Sequence, residues 1–232
     1  MQKAPSMEEQ QKYDWPGWPL ESNPHGEDFD IAARKRMVLG SIMLLPYLRR
    51  YKKEMGKVIL EVGPFFNPLV TPLEFPEVII FYWENDHHVL RYLKNRYQEQ
   101  VYPIFCDLNK IEGDSLMRLK LETQRYCQRE HLKKIAFDSV VISHVFNYID
   151  YKLFLLVMKE FLKKDGLLFI NNVVDYGLPA FFSERRPTAV SETLKAVKGS
   201  GYKILHKKMF DSSDSKHQKN RRLVVVARSN ER

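Results

Sequence analysis

Seven short runs of apolar, β-branched or aromatic residues alternate with segments of helical periodicity, and this narrows the possible folds more than any other feature of the chain. The runs are Val58 to Val62, Val78 to Trp83, Val101 to Phe105, Phe137 to Ser143, Leu167 to Ile170, Tyr202 to Leu205 and Arg222 to Ala227. Amphipathic segments lie at His87 to Gln98, Asp114 to Lys134, Tyr151 to Lys164 and Ala189 to Lys198. Five strands separated mostly by helices call for a parallel sheet covered on both faces. The last two runs flank the polar stretch Asp211 to Asn220, which has no room for a clear helix, and read as an antiparallel hairpin on the same sheet. The expectation is one α/β domain over residues 57–232, with a mostly parallel seven-stranded sheet, preceded by an N-terminal arm and helical lid region over residues 1–56.

Residues 1–30 hold four prolines and the cluster Trp15-Pro16-Gly17-Trp18-Pro19, which disfavours long helices or strands. Two tryptophans left in water are costly, so the arm is expected to pack on the body or over a pocket. From Ile31 to Met55 apolar residues recur at helical spacing, with Pro46 expected to divide or kink the helix. The chain's formal charge is +8, but the first 30 residues carry two lysines against seven acids, so the body is strongly basic and an anionic partner has to be considered. Cys106 and Cys127 are too few for a disulfide framework. The acidic start is unlike a secretory signal and no apolar run reaches the roughly 20 residues of a bilayer span, so a cytoplasmic protein with no membrane partner is expected.

In an open α/β sheet, ligands collect at the carboxyl ends of the strands. Those ends supply Glu61, Gly63 and Asn67, then Glu84, Asn85 and Asp86, then Asp107 and Leu108, then Ser143, His144, Asn147 and Tyr148, and last Asn171 and Asn172. Acids end three successive strands. They would repel a pyrophosphate, and the glycine loop that cradles one is replaced by "EVGPFFNP", with Pro64, Phe65, Phe66 and Pro68. A cofactor with an ammonium group, a ribose diol and an adenine can use acids as hydrogen-bond acceptors, which fits S-adenosylmethionine better than a nicotinamide dinucleotide. No His, Cys and carboxylate cluster has metal-ligand spacing.

Over residues 57–228 the chain resembles the class I, Rossmann-like S-adenosylmethionine-dependent methyltransferases. "VILEVGP" is similar to their first motif, "IIFYWEND" to the second, "FCDL" to the third-strand acid motif, "FDSVVISHVFNYI" to the fourth-strand motif and "LKKDGLLFINN" to the turn into strand five. The resemblance implies that Glu61 and Gly63 shape the pocket near the methionine moiety, with Pro64 and Asn67 in the same loop. It implies that Glu84, beside Asn85, accepts both ribose hydroxyls. Asp107 and Leu108 would border the adenine, and Ser143 and His144 would lie beside the reacting methyl. The family's second and third glycine positions hold Phe65 and Asn67 here. Asparagine tolerates left-handed geometry, whereas the Phe65 ring must turn away from the cofactor or fill its place.

Simpler readings stand beside these. Glu84 is also placed to favour the start of the following helix, and Asp107 is ordinary strand-exit chemistry. Asp138 is expected to start its strand rather than touch a ligand. His144 is the candidate catalyst: an imidazole near pKa 6.5 can take a proton from a hydroxyl or amine, or it can simply bind. Asn147, Tyr148 and Asn172 are candidate acceptor contacts. The stretch from Asn172 to Pro187, with Tyr176, Phe181, Phe182, Arg185 and Arg186, is expected to close over the acceptor together with Trp15, Trp18 and His25.

The expected activity is methyl transfer to an oxygen or nitrogen of a small molecule. The alternatives are a non-catalytic binding module that keeps the fold, and an RNA-directed methyltransferase using the basic hairpin around Lys207, Lys208, Lys216, Lys219, Arg221 and Arg222. "SHVFNY" lacks the pattern of base-amino methyltransferases, so nucleic acid is not favoured.

Overall fold

The computed structural model describes residues 42–132, 134–174, 189–212 and 220–230. Trp15, Trp18, His25, Tyr176, Phe181, Phe182, Arg185, Arg186, Lys216 and Lys219 lie outside them.

Alternation along the strands builds two core layers. On β1 (Val58–Val62), Val58, Leu60 and Val62 turn to one face of the sheet, and Ile59 turns to the other. β2 (Ile79–Glu84) and β4 (Phe137–Ser143) flank β1 in parallel, and β3 (Val101–Phe105) adds parallel to β2. Strands buried on both faces have little need for polar residues, which is why these segments read as apolar runs. The full order is β3-β2-β1-β4-β5-β7-β6, with β5 (Leu162–Val174) parallel to β4. β7 (Asn220–Ser229) enters antiparallel between β5 and β6 (Tyr202–Ser212), as the hairpin expectation requires.

Helix α1, described over 42–50, and α2 (His87–Tyr97) cover one face through Leu44, Leu48, Val89 and Leu93. Helices α3 (Gly113–Arg129), α4 (Tyr151–Phe161) and α5 (Val190–Gly199) cover the other through Leu119, Cys127, Phe154, Met158, Phe161 and Val197. The chain builds outward from β1 through β3 and then returns to place β4 on β1's free side. The reversal sets a topological switch point between the carboxyl ends of β1 and β4.

Several boundaries differ from the sequence expectation. α1 runs on through Pro46, which does not divide it; the buried Leu44 and Leu48 on either side hold both turns to the sheet. β2 extends to include Glu84. α3 stops at Arg129, five residues before the expected end. β5 begins at Leu162 and continues to Val174, so Asn171 and Asn172 stand within the strand, because antiparallel pairing with β7 extends to Val174 opposite Arg221. Phe137 pairs with Leu162 and Ser139 with Leu167, so Lys163 to Gly166 bulge from the ladder, with Asp165 at φ 62°. Asp138 starts its strand as expected: one oxygen accepts the backbone N–H groups of Lys57 and Val58, and the other meets Lys163 Nζ at 2.6 Å.

Candidate functional site

The turn after β1 is fixed by Gly63. Its φ is 62°, its N–H donates to the Trp83 carbonyl at 2.8 Å, and a Cβ there would stand 2.6 Å from Val145 Cγ2. Only glycine meets both demands without strain. The loop that follows is gathered in by Glu61, buried at 2% exposure. Its Oε1 accepts from Leu69 N at 2.9 Å and its Oε2 from Val70 N at 2.8 Å. The Tyr82 hydroxyl donates to the Val70 carbonyl at 2.5 Å. Burial raises the Glu61 pKa to about 8, against the opposing pull of the two N–H donors. Glu61 therefore acts on the loop, eight and nine residues downstream, by holding its backbone.

Glu84 is the second buried carboxylate, 6% exposed at the end of β2. Its Oε1 accepts from Asn85 N at 2.8 Å and Asp86 N at 3.3 Å, and its Oε2 accepts from Phe65 N at 3.1 Å. Burial is the largest influence and raises its pKa, while these three donors lower it. The task of capping α2 falls to Asp86, whose side chain accepts from His88 N at 2.7 Å. Glu84 is thus left to join the β1 loop to the β2 end.

Phe65 occupies the second glycine position with φ 53°, so the backbone there is left-handed despite the side chain. Such a conformation costs a non-glycine residue on the order of 1 kcal/mol. Its ring meets Phe66 edge-on at 4.8 Å, Phe66 meets Tyr92 of α2 at 5.3 Å, and both phenylalanines pack against the core layer under α1 and α2. Pro64 and Pro68 are buried on either side, and Asn67 is half-buried.

At the end of β3, the Asp107 side chain accepts from Asn109 N at 3.1 Å and its other oxygen lies 3.1 Å from Lys110 Nζ, so it organises the turn Leu108–Lys110. The Leu108 side chain is buried in the core. Beside them His87 stacks on the exposed ring of Phe105, with centroids 4.4 Å apart and planes 8° from parallel.

Across the switch point the site is built from side chains on three strands. His144, at φ 62°, directly follows β4, and its backbone N–H donates to the Asn171 carbonyl at 2.8 Å. Asn171 Nδ2 lies 3.2 Å from Ser143 Oγ and 3.4 Å from His144 Nε2. Arg222 of β7, only 3% exposed, brings NH1 to 3.1 Å from His144 Nε2 and 3.3 Å from Nδ1. A guanidinium can only donate, so the ring nitrogen it faces must offer a lone pair. Burial first, and the Arg222 charge second, push the His144 pKa well below the ordinary histidine value, and the ring is neutral at pH 7. Asn147 is buried in the turn Phe146–Tyr148, and Tyr148 is exposed. Asn172 is buried, its Nδ2 donating to the Val173 carbonyl at 3.0 Å.

The structure thus brings Ser143, His144 and Asn171 into one hydrogen-bonded group, and separately joins Glu84 to the Gly63 loop. Arg222 was missed as a site residue: it reads as one of a basic pair in a hairpin, and only the register opposite Val173 turns it inward. The signal that could have found it is an arginine directly before the apolar run Leu223 to Ala227, on the strand that pairs with β5. Among the described residues no group of three or more His, Cys, Asp and Glu is placed to hold a metal ion, and no helix is long and apolar enough to cross a membrane.

No protein-family model and no curated protein matches the sequence. Solved structures do match in shape. The magnesium protoporphyrin IX methyltransferase of Synechocystis, with bound S-adenosylhomocysteine, is 10% identical, with a TM-score of 0.61 over 97% of this chain and 94% of its own. The 1,6-didemethyltoxoflavin-N1-methyltransferase of Burkholderia thailandensis, with its acceptor and S-adenosylhomocysteine bound, is 15% identical, with a TM-score of 0.59 over 84% of this chain and 78% of its own. The [4+2]-cyclase SpnF is 12% identical, with a TM-score of 0.59 over 82% of this chain and 80% of its own. The fold is that of the class I S-adenosylmethionine-dependent methyltransferases, and the cyclase among its neighbours carries that fold with a different chemistry.

Proposed function

We propose that this chain is an S-adenosylmethionine-dependent methyltransferase acting on an oxygen or nitrogen of a small-molecule acceptor. The observation that carries this reading is Glu84: a buried carboxylate at the end of β2, joined to a close-turning glycine loop at the switch point, on a sheet of the methyltransferase order. The residues present fit the cofactor. Glu84 offers an acceptor for ribose, Gly63 lets the backbone approach a ligand closely, and the Phe65 ring packs against the core layer under α1 and α2. Asn85, Asp107 and Leu108 border the adenine end, while Pro64 and Asn67 shape the loop that Glu61 holds.

When bound, the cofactor supplies a methyl group activated on a sulfonium, and alignment then accounts for much of the rate. Within this chain, Asn171 holds both Ser143 and His144, and the imidazole, whose one lone pair receives the Arg222 guanidinium, lies beside the acceptor and takes its hydroxyl or amine hydrogen only when Arg222 swings aside. Asn147, Tyr148 and Asn172 line the acceptor side. Arg222 is buried against His144, which removes one cation from any phosphate-tracking strip on the hairpin and favours a small acceptor over RNA.

Calorimetric titration of the full chain with S-adenosylmethionine and S-adenosylhomocysteine tests the reading, with Glu84→Ala alongside. Micromolar binding that weakens roughly 100-fold in the variant is expected from removing a buried acceptor of charge-assisted hydrogen bonds. Absence of heat with either ligand, in folded protein, would replace it with the non-catalytic binding module.

A further inference from the structure

We propose that Glu84 receives one hydroxyl of a ribose diol and not both, so that the cleft distinguishes the 2′- and 3′-hydroxyls of an adenosyl ligand; this rests on the cofactor reading above. A carboxylate offers about four lone-pair positions. Three are taken: both positions on Oε1 by Asn85 N and Asp86 N, and one on Oε2 by Phe65 N. A single position remains, on Oε2. A carboxylate with two open oxygens would chelate the diol, one hydroxyl to each oxygen, and that geometry is closed here.

None of the three donors is easily withdrawn. Asn85 and Asp86 lead directly into α2, where Asp86 is the capping residue. Phe65 is pinned on both sides of its own amide. Upstream, Gly63 donates to the Trp83 carbonyl against Val145, and downstream, Glu61 holds Leu69 and Val70. The ring contacts from Phe65 to Phe66 and from Phe66 to Tyr92 tie the same loop to α2. The residue that breaks the glycine pattern therefore also sets the valence of the acid facing it: with Oε1 filled by Asn85 N and Asp86 N, the Phe65 N–H takes one of the two positions on Oε2, and a second hydroxyl finds none.

The test titrates the full chain with S-adenosylhomocysteine, its 2′-deoxy form and its 3′-deoxy form, under one set of conditions. The expected result is asymmetric. One deoxy form binds within about threefold of the parent, while the other weakens about tenfold or more, the size of a lost hydrogen bond to a charged group. Equal weakening of both forms would show that the loop releases the Phe65 amide and that Glu84 grips the diol, overturning the proposal while the cofactor reading stands. Equal, undiminished binding of both would show that Glu84 meets neither hydroxyl and would overturn it as well. If the parent itself fails to bind folded protein, the cofactor reading falls and the proposal falls with it.

Discussion

The two sides of the switch point are held together by different means. On the β1–β2 side, two buried carboxylates accept backbone N–H groups from residues at most nineteen positions away. On the β4–β5–β7 side, side chains meet side chains across separations of 27 to 78 residues. The first arrangement tolerates changes of sequence in the loop, since any residue except proline has an N–H to give. That is how a loop carrying two phenylalanines keeps the path that glycines would otherwise set. The second depends on the identity of every member, because imidazole, amide and guanidinium are not interchangeable as donors and acceptors.

The largest expected effect comes from removing the carboxylate that holds the first side. Glu61→Ala leaves two buried N–H groups without acceptors and should lower the unfolding free energy by about 3 kcal/mol, read from denaturant melts. A loss below about 1 kcal/mol would mean that the loop does not depend on this carboxylate. Gly63→Ala comes next at about 2 kcal/mol, because an added methyl meets Val145 and left-handed backbone is disfavoured for alanine. Unchanged stability there would show that the loop shifts away from β4 freely.

A third expectation sets the two sides against each other through pH. Glu61 titrates near 4.5 when unfolded and at about 8 when folded, so between those values the unfolded chain has lost a proton that the folded chain keeps. Its contribution to stability is full below about pH 4.5 and is lost as pH rises towards 8. His144 runs the other way. Its folded pKa lies well below 6.5, so stability present above that value is lost as pH falls beneath it. The two slopes oppose each other on the acid side in wild type, so thermal melts from pH 5 to 8 should show stability rising with pH there in Glu61→Gln and falling with pH there in His144→Gln. The same slope in wild type and both variants would remove the contrast.

The first side was also the more legible in the sequence. β1 and β3 occupy the residues that their apolar runs mark, β2 is displaced from its run by one residue, and α2 ends one residue before its amphipathic segment does, because burial periodicity is a local property. The loop's departure from the glycine pattern was visible as well, as Phe65 at a position whose backbone is in fact left-handed. The ends of β5 and β6 were not legible, since each is set by how far β7 pairs with it rather than by its own residues. Nor was the partnership of Arg222 with His144, 78 residues apart, which needs the order β5-β7-β6 and the register placing Arg222 opposite Val173.

The smallest expected effect isolates that partnership. Arg222→Met keeps the length and apolar bulk of a buried side chain while removing its charge and donors. Burial is the larger cause of the low His144 pKa and remains in the variant, so the imidazole should stay below the ordinary histidine value. Loss of the guanidinium removes the second cause, and the His144 titration, followed by the NMR shift of its ring protons, should move up in pH by a small amount with little change in fold. A titration that does not move would place the guanidinium away from the ring in solution. A move all the way to the ordinary value would make the Arg222 charge, rather than burial, the chief reason that His144 is neutral. His144 would then be a base whose strength β7 controls from across the sheet.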